Sequence, residues 1–288
     1  NTLAGRAARK KSIDLAIYTE KKIQSEILRA PQNLEYEKTF DPFILISKKR
    51  YVGNLYEHDP DKFKRKSMGI VLKRRDNAPI VKVIYGGIID IIMKEKDIKP
   101  ATVFLRKSLR KLIKGFYPQE SLIITKTLSS YYKDPQRIAH RVLADRIGDR
   151  DPGNKPNVND RIPYIYIQTG KKVKLQGDRI ETPDYINEHD LSPDYEFYIT
   201  NQIMKPVTQI FALCLDELPG FTGNIEEYNS IYKSQLKKGK TINDSLKYMI
   251  ERKRRKAASI LFRDILRILE NKRCNNIEIT QFFGKGSK

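Results

Sequence analysis

The chain has 288 residues with 56 Lys and Arg against 35 Asp and Glu, giving a formal net charge of +21. This excess points to a polyanionic partner, either nucleic acid or an anionic membrane face. Two cysteines without a CxxC pair exclude a disulfide scaffold and a four-cysteine zinc or iron–sulfur site. The most apolar stretch, residues 78–93, is interrupted by Lys82 and Asp90 and is shorter than the ~20 apolar residues that a membrane span needs.

The first third of the chain has the pattern of one helix followed by strands. Apolar residues recur at helical spacing from Ile13 to Ile27, Ser12 is the predicted N-cap, and Pro31 ends the run. Apolar alternation or short apolar runs then predict strands over residues 34–40, 42–56 and 69–72.

The remainder of the chain is mainly helical, which places a boundary near residue 78 and predicts an α+β fold class. Gly86 and Gly87 lie inside an apolar helical pattern and predict a packing site. A loop rich in turn-forming residues covers residues 151–160. Helices are predicted over residues 80–93, 101–114, 136–147, 194–215 and from 225 to the end, and strands over 162–168 and 171–175.

No complete catalytic site can be assembled from the motifs of the sequence. The histidines His58, His140 and His189 are too few for a His-based metal cluster. There is no His-Glu-x-x-His motif, no glycine-rich phosphate loop and no nucleophile elbow. For His140 we expect a hydrogen bond in helix packing rather than a chemical role.

Basic residues are instead grouped with an aromatic residue at Lys48, Lys49, Arg50 and Tyr51. On a strand, Lys48 and Arg50 would lie on one face, and Lys49 and Tyr51 on the other. Cations beside a hydroxyl suit contacts with the phosphates and minor-groove acceptors of a duplex, which need no base-specific code. The alternative is a solubilising edge strand.

The last 64 residues, 225–288, contain 16 Lys and Arg against 7 Asp and Glu, and the run 252–256 is wholly basic. On a helix such a run is a solvated face, a contact with a phosphate backbone or a nuclear import signal. A basic membrane-surface protein is disfavoured, because no helix combines a cationic face with a face rich in Trp or Phe.

Several motifs carry a resemblance to a known family. Residues 34–38 read Leu-Glu-Tyr-Glu-Lys, and residues 43–53 read Phe-Ile-Leu-Ile-Ser-Lys-Lys-Arg-Tyr-Val-Gly. Both resemble the palm segment of family B DNA polymerases, of the kind found in large DNA viruses and in delta-type enzymes. In the same order, residues 69–79 resemble the family's palm-to-thumb segment, and residues 122–126, 140–144, 150–153 and 159–164 resemble further thumb elements.

The resemblance implies palm-edge strands with a flanking helix, followed by a mainly helical thumb. Residues 1–78 would belong to the palm, 79–222 would form the thumb, and 223–288 would be a basic helical extension. The implied function is that of the C-terminal portion of a DNA-directed DNA polymerase, which grips primer-template DNA during nucleotidyl transfer. It would act in the nucleus or in a viral replication compartment of the host cytoplasm.

The resemblance also implies roles for individual residues. The residues that match the family's KKRY-type motif, which holds the primer-template near the primer end, are Lys48, Lys49, Arg50 and Tyr51. The residues that match the segment tracking the newly made duplex are Arg74, Arg75, Asp76 and Asn77. The residues expected to contact the DNA backbone, or to brace the thumb loop through Asp151 and Asp160, are Lys126, Arg150 and Arg161.

Glu35 and Glu37 match family carboxylates beside the metal site, and we expect Glu37 to lie nearest the metals. The alternative is that both glutamates face water on an open strand. The family uses two Mg²⁺ ions held by aspartates of two motifs that lie upstream in the family and are not in this sequence. We therefore expect the chain to be inactive alone and to need an N-terminal polymerase part, as a cut-out, an extein half or a split subunit.

Two further hypotheses concern partners. Asn276, Ile279, Phe282 and Phe283 resemble a sliding-clamp-binding box, with Asn where Gln is usual, although a short aromatic tail can also arise by chance or fold back onto a core. The alternative function is a stand-alone DNA-binding or clamp-associated accessory protein derived from a polymerase thumb. An upstream reading frame ending in a Tyr-Gly-Asp-Thr-Asp-Ser-like motif would favour the polymerase.

Overall fold

The computed structural model describes residues 3–73, 76–169, 173 and 175–273. The chain divides into two compact units, Asn1–Ile70 with Met93–Lys96, and Val71–Ile92 with Asp97–Lys288. The described helices are α1 (Gly5–Glu26), α2 (Pro79–Glu95), α3 (Lys99–Ile113), α4 (Ala139–Arg150), α5 (Pro183–Glu188), α6 (Tyr195–Phe197), α7 (Met204–Phe211), α8 (Glu226–Lys237) and α9 (Ile242–Arg273). The described strands are β1 (Thr39–Ser47), β2 (Arg50–Tyr56), β3 (Phe63–Met68), β4 (Ile124–Thr127), β5 (Arg161–Tyr166) and β6 (Ile180–Glu181).

Helices and two small antiparallel sheets, ordered β1-β2-β3 and β4-β5-β6, confirm the predicted α+β class. Among the residues that the structure describes, no helix is both long enough and apolar enough to cross a bilayer.

In the first unit, α1 is held to the sheet β1–β3 by both apolar and polar contacts. Ile13 is buried, and Arg9 places its guanidinium 4.7 Å from the centre of the Tyr56 ring. Arg9 also donates to Asp41 at 2.9 Å, and Lys96 donates to the same carboxylate at 3.0 Å. Burial alone would raise the pKa of Asp41, but these two hydrogen bonds and their charges outweigh it and hold the pKa below its ordinary value.

α1 begins at Gly5, so the predicted start at Ser12 was wrong. Residues 5–11 lack apolar periodicity, but they are rich in Ala, Arg and Lys, which are strong helix formers. The early turns are also tied down by Arg6, whose guanidinium donates to both carboxylate oxygens of Asp61 at 2.7 and 2.8 Å. Helix propensity and polar contacts therefore stabilise the first turns of α1, which the apolar pattern does not predict.

The strand predicted over residues 34–40 begins only at Thr39. The backbone N–H of Tyr36 donates to Glu20 of α1 at 2.7 Å, so it is not available to a strand ladder. The Tyr36 hydroxyl donates to the backbone carbonyl of Glu57 at 3.0 Å. Side-chain contacts with α1 and with the end of β2 thus fix this segment outside the sheet.

The strand predicted over residues 69–72 was also displaced, because the third strand is Phe63–Met68. Gly69 has a φ of 61°, which turns the chain out of the strand, and Ile70 is fully buried. A single 3₁₀ turn follows at Val71–Lys73. The basic sequence of β3 gave no apolar alternation to predict it.

The second unit is built on α2, α3, α7 and α9 together with the sheet β4–β6. The helices predicted over 80–93 and 101–114 are confirmed as α2 and α3. A Cβ on Gly87 would lie 2.4 Å from the ring of Phe104, so this glycine does permit close packing of α2 on α3. The core residues of these two helices include Ile80, Ile84, Ile88, Leu105 and Leu109.

Other elements of the second unit differ from prediction mainly at their ends. The helix predicted to begin at residue 136 begins at Ala139, because Pro135–Arg137 forms a 3₁₀ turn. The helical stretch 195–211 contains a π-helical segment, Tyr198–Ile203, and Gly239, with a φ of 74°, separates α8 from α9. Apart from Val173 and Leu175, the strand predicted over 171–175 lies outside the described residues.

Candidate nucleic-acid interface

A two-residue turn at Lys48 and Lys49 forms the tip of the β1–β2 hairpin. Ser47 pairs with Arg50 across the turn, and Lys49 has a φ of 61°, in the left-handed region. The predicted alternation of residues 48–51 along one strand was therefore wrong, because the chain reverses direction at the two lysines. Both lysines are exposed, and neither pairs with a carboxylate of the described residues.

Gly69 supports this hairpin tip from the end of β3. Its φ is 61°, and a Cβ there would lie 2.3 Å from the backbone oxygen of Lys49. Arg50 Nε donates to the backbone oxygen of Gly69 at 3.3 Å. Because backbone atoms cannot move aside as a flexible side chain can, the conformation of the turn depends on glycine at this position.

Tyr51 stands beside the turn in a cluster of three aromatic rings. Its ring centre lies 5.5 Å from that of Phe43 and 5.9 Å from that of Phe40. A Cβ on Gly53 would lie 2.7 Å from the Phe40 ring, so this glycine makes room for the cluster. Because Gly53 pairs directly with Lys66, that lysine shares the face of the sheet with the rings. The face thus combines aromatic surface with positive charge.

The two glutamates predicted near a metal site lie before β1. Glu35 accepts a hydrogen bond from Asn33 at 2.9 Å, and Glu37 is paired with Lys38. Among the described residues, no group of three or more His, Cys, Asp or Glu side chains could hold a metal ion. The chain's described residues therefore do not fit a metal site by themselves, and the roles of Glu35 and Glu37 stay predictions.

In the second unit, Asp76, Asn77 and Lys126 lie together. Lys126 Nζ is 3.6 Å from Asp76, and the Asn77 amide donates to the same carboxylate at 3.4 Å. Arg161 pairs with Thr127 across β4 and β5, and its guanidinium donates to the Thr125 hydroxyl at 2.7 Å. Successive residues of a strand face opposite ways, so Arg161 lies on the opposite side of the β4–β5 ribbon from Lys126.

Arg150 is used inside the second unit. It donates two hydrogen bonds to Glu181, at 2.8 and 3.1 Å, and its guanidinium lies 3.7 Å from the centre of the Tyr185 ring. Arg146 donates to the same carboxylate at 2.6 Å, and Glu181 is only 3% exposed. Burial alone would raise the pKa of Glu181, but the hydrogen bonds and charges of the two arginines outweigh it and hold the pKa below its ordinary value.

This arrangement favours the bracing role for Arg150, but through a different acid from the two expected. Asp151 instead accepts from the backbone N–H of Gly153 at 3.1 Å, and Asp160 accepts from that of Asn157 at 2.7 Å. Sequence reasoning missed Arg146 and Glu181. The available signal was the spacing of the arginines, because residues four apart share one face of a helix.

His140 forms the expected packing contact, since its Nε2 lies 3.0 Å from the hydroxyl of Tyr132. Burial lowers the pKa of His140, the charge of Lys126 lowers it further, and a hydrogen bond with the backbone of Thr127 partly opposes both effects. These effects together favour the neutral imidazole over its protonated form. This histidine belongs to the packing of α4 rather than to a charged surface.

Six residues of the predicted sites lie outside the described residues, so their roles remain predictions from the sequence. Two belong to the segment expected to track the duplex, and four to the expected clamp-binding box. They are Arg74, Arg75, Asn276, Ile279, Phe282 and Phe283.

Comparison with known proteins identifies the family. A family model described as DNA polymerase family B matches residues 4–214, most of the chain. The chain belongs to the family B DNA polymerases. The DNA polymerase of Pyramimonas orientalis virus is 50% identical over 284 residues, which cover 98% of this chain and 23% of that protein. The DNA polymerase delta catalytic subunit of Candida albicans is 36% identical over 188 residues, covering 65% of this chain and 18% of that subunit.

A solved structure shows the same fold. The family B DNA polymerase of the archaeon Pyrobaculum calidifontis matches with a TM-score of 0.53 and 19% identity, covering 67% of this chain and 24% of that one. The chain thus spans less than a quarter of that polymerase, and likewise less than a quarter of the viral and Candida albicans relatives.

Proposed function

We propose that the chain contributes the primer-template grip of a family B DNA polymerase, with the hairpin tip of Lys48, Lys49, Arg50 and Tyr51 as its main contact. The observation that carries this proposal is the pair of exposed lysines in the turn, which have no carboxylate partner among the described residues. Cations without an acidic neighbour keep their full field for phosphates. Contacts of this kind position a duplex without reading its sequence.

The surroundings of the tip support a rigid contact rather than a mobile one. Gly69 holds the turn through a close backbone approach, and the ring cluster of Phe40, Phe43 and Tyr51 packs beside it. A preorganised contact loses little conformational entropy on binding. The Tyr51 hydroxyl is a donor suited to a minor-groove acceptor, and Arg50 carries a guanidinium suited to a phosphate oxygen.

In this proposal residues 1–78 are part of the palm, 79–222 form the thumb and 223–288 form a basic extension. Lys126 and Arg161 would add backbone contacts from the two sides of the β4–β5 ribbon, whereas Arg150 would act by holding the thumb together. Divalent metal ions serve nucleotidyl transfer in this family, but the described residues form no site for them. We therefore assign no step of that chemistry to a residue of this chain.

The test compares two pairs of exposed lysines in the first unit, each pair consisting of neighbouring residues. The paired substitutions Lys48→Gln and Lys49→Gln remove two charges from the tip, and Lys10→Gln and Lys11→Gln remove two from α1 as a matched control. Binding of the chain to a fluorescent primer-template duplex is followed by anisotropy at several salt concentrations. We expect the tip variant to bind roughly ten-fold more weakly and to lose about two from the slope of log K against log salt.

The α1 control should leave the slope within about half a unit of the parent chain. Equal losses for the two pairs would mean that only net charge matters, and the proposed tip contact would be wrong. Circular dichroism of both variants establishes that the losses do not come from unfolding.

A further inference from the structure

Helices α8 and α9 carry positive charge that the hairpin proposal does not use. The family match ends at residue 214, whereas these helices begin at Glu226 and end at Arg273. Residues 226–273 contain 14 Lys and Arg against 6 Asp and Glu. This basic helical hairpin therefore lies beyond the region that the family model matches, although the match with the viral polymerase covers 98% of the chain.

The wholly basic run 252–256 does not form one surface. Lys253 turns toward α8, where its Nζ lies 5.7 Å from the centre of an aromatic ring, and the Nε of Arg254 is buried. Arg252 and Arg255 are exposed. The structure thus separates the cations of the run that are engaged within the protein from those that face solvent.

The exposed arginines continue along one side of α9. Arg252, Arg255, Arg263 and Arg267 are separated by three, eight and four residues, which places them on one face of the helix, here called the arginine stripe. The stripe extends about 22 Å along the helix axis. The opposite face is apolar and buried at Ala257, Leu261 and Ile265.

The stripe is largely unneutralised and firmly supported. Within 4 Å, Arg252, Arg263 and Arg267 form no ion pair with a described carboxylate, whereas Arg255 lies 3.5 Å from Glu251. Glu270 is the exposed acid on the same side of the helix. The buried face of α9 packs on α3, α7 and α8. Like charges on a rigid helix repel one another, so an anionic ligand that bridges them would relieve that cost.

The chemistry of the stripe favours phosphate groups. Guanidinium groups bind phosphate oxygens in a bidentate manner, which an ammonium group cannot do. A row of about 22 Å matches roughly six base pairs of a duplex, measured along its axis. We propose that the arginine stripe of α9 is a second nucleic-acid contact, which binds the phosphate backbone of a duplex independently of the hairpin tip.

The experiment removes three charges from the stripe or from elsewhere on the same helical hairpin. The stripe variant carries Arg252→Gln, Arg263→Gln and Arg267→Gln. The matched control removes three exposed charges at the end of α8 and in the following turn, with Lys237→Gln, Lys238→Gln and Lys240→Gln. Anisotropy with a 24-base-pair duplex is measured across a salt series, with poly-glutamate as a second anionic probe and thermal melting as the test of folding.

We expect the stripe variant to lose at least ten-fold in duplex affinity and about two to three from the salt slope, and the control to lose less than half as much. Equal losses in the two triple variants would overturn the proposal. So would an equal loss of poly-glutamate binding, because the stripe would then be a general site for acidic polymers.

The hairpin-tip variant keeps this inference separate from the proposed function. If the tip variant binds normally and the stripe variant does not, the stripe contact is supported and the proposed tip contact fails. If the tip variant alone weakens binding, the stripe proposal is overturned and the tip contact is supported. If the triple variant of the stripe unfolds, the single substitution Arg263→Gln is measured instead. A salt slope reduced by about one would support the stripe contact, and an unchanged slope would overturn it.

Discussion

The basic residues of the two units have different surroundings. Lys48 and Lys49 face solvent at a turn without a described carboxylate partner, whereas Arg150 shares the buried carboxylate of Glu181 with Arg146. The two exposed lysines raise the positive potential outside the protein. The two arginines instead pair with Glu181 and so hold α4 to β6. A cation with a buried acid within reach is held inside the fold, whereas one without a neighbouring acid remains available to an external anion.

The strongest test of this comparison is Glu181→Gln. The substitution removes the buried carboxylate that accepts charged hydrogen bonds from Arg146 and Arg150, although Arg146 keeps Asp178 at 3.7 Å, so we expect the second unit to lose about 3 kcal/mol of unfolding free energy. The salt slope of duplex binding should not change. Urea denaturation at pH 7 measures the first quantity, and anisotropy the second.

The same variant has a pH signature. The folded pKa of Glu181 lies below its ordinary value, so its contribution is present above about pH 4.3 and is lost as the pH falls through the folded pKa. The stability difference between Glu181→Gln and the parent chain should therefore shrink in acid. A difference that stays constant down to pH 3 would contradict the ion-pair explanation.

The second test acts on the hairpin tip through Gly69→Ala. A Cβ there would lie 2.3 Å from the Lys49 backbone oxygen at a φ of 61°, so we expect a loss of about 2–3 kcal/mol from the first unit and a weaker duplex affinity. Gly5→Ala is the control, since Gly5 has a similar φ of 58° but open space around the Cβ position. Gly5→Ala should lower the free energy of unfolding by about 1 kcal/mol. An equal loss at both sites would mean that Gly69 is needed only for its positive φ and not for the close approach to Lys49.

The third test separates charge from backbone conformation at Lys49. Lys49→Gly removes the charge and relieves a positive φ, so the first unit should gain up to about 1 kcal/mol while the salt slope falls by about one. Lys48→Gly loses the same charge without relieving a positive φ, so it should not gain stability. Unchanged duplex binding by Lys49→Gly would show that this lysine does not face the DNA.

The sequence predicted helices correctly where a long apolar pattern determines them. α2 and α3 followed from their apolar patterns, and the family followed from the order of the motifs that resemble its palm and thumb segments. Contacts distant in sequence decided the remainder. The N–H of Tyr36 is taken by Glu20, sixteen residues earlier, and the turn at Lys48 and Lys49 depends on a glycine twenty residues later. Neither contact leaves a local signal.

The partners of the candidate cations were similarly hidden. The sequence offered Asp151 and Asp160 as the acids for Arg150, but the acid that it contacts, Glu181, lies on a two-residue strand that no pattern predicts. Conversely, the basic run 252–256 looked uniform in sequence, and only the packing of α9 shows which of its residues face solvent. Charge can be counted from a sequence, but its neutralisation depends on three-dimensional neighbours.

The smallest effect expected concerns His140, whose pKa the second unit lowers. Its folded pKa lies below the ordinary value near 6.5, so protonation favours the unfolded state, and stability should fall as the pH drops below about 6.5. His140→Gln should remove this slope in melting temperature between pH 7 and pH 5. Tyr132→Phe should keep it, because burial and the charge of Lys126 cause the shift.

Lys126→Gln makes the comparison between the units sharper. It should reduce the His140 slope in part, since Lys126 is the second cause of the lowered pKa, and it should also remove one candidate contact with the DNA backbone. A lysine that acts only on His140 would change the pH slope and leave the salt slope of binding alone. A fall of about one in the salt slope would show that Lys126 contacts the duplex, as is proposed for the lysines of the hairpin tip, despite its carboxylate neighbour Asp76.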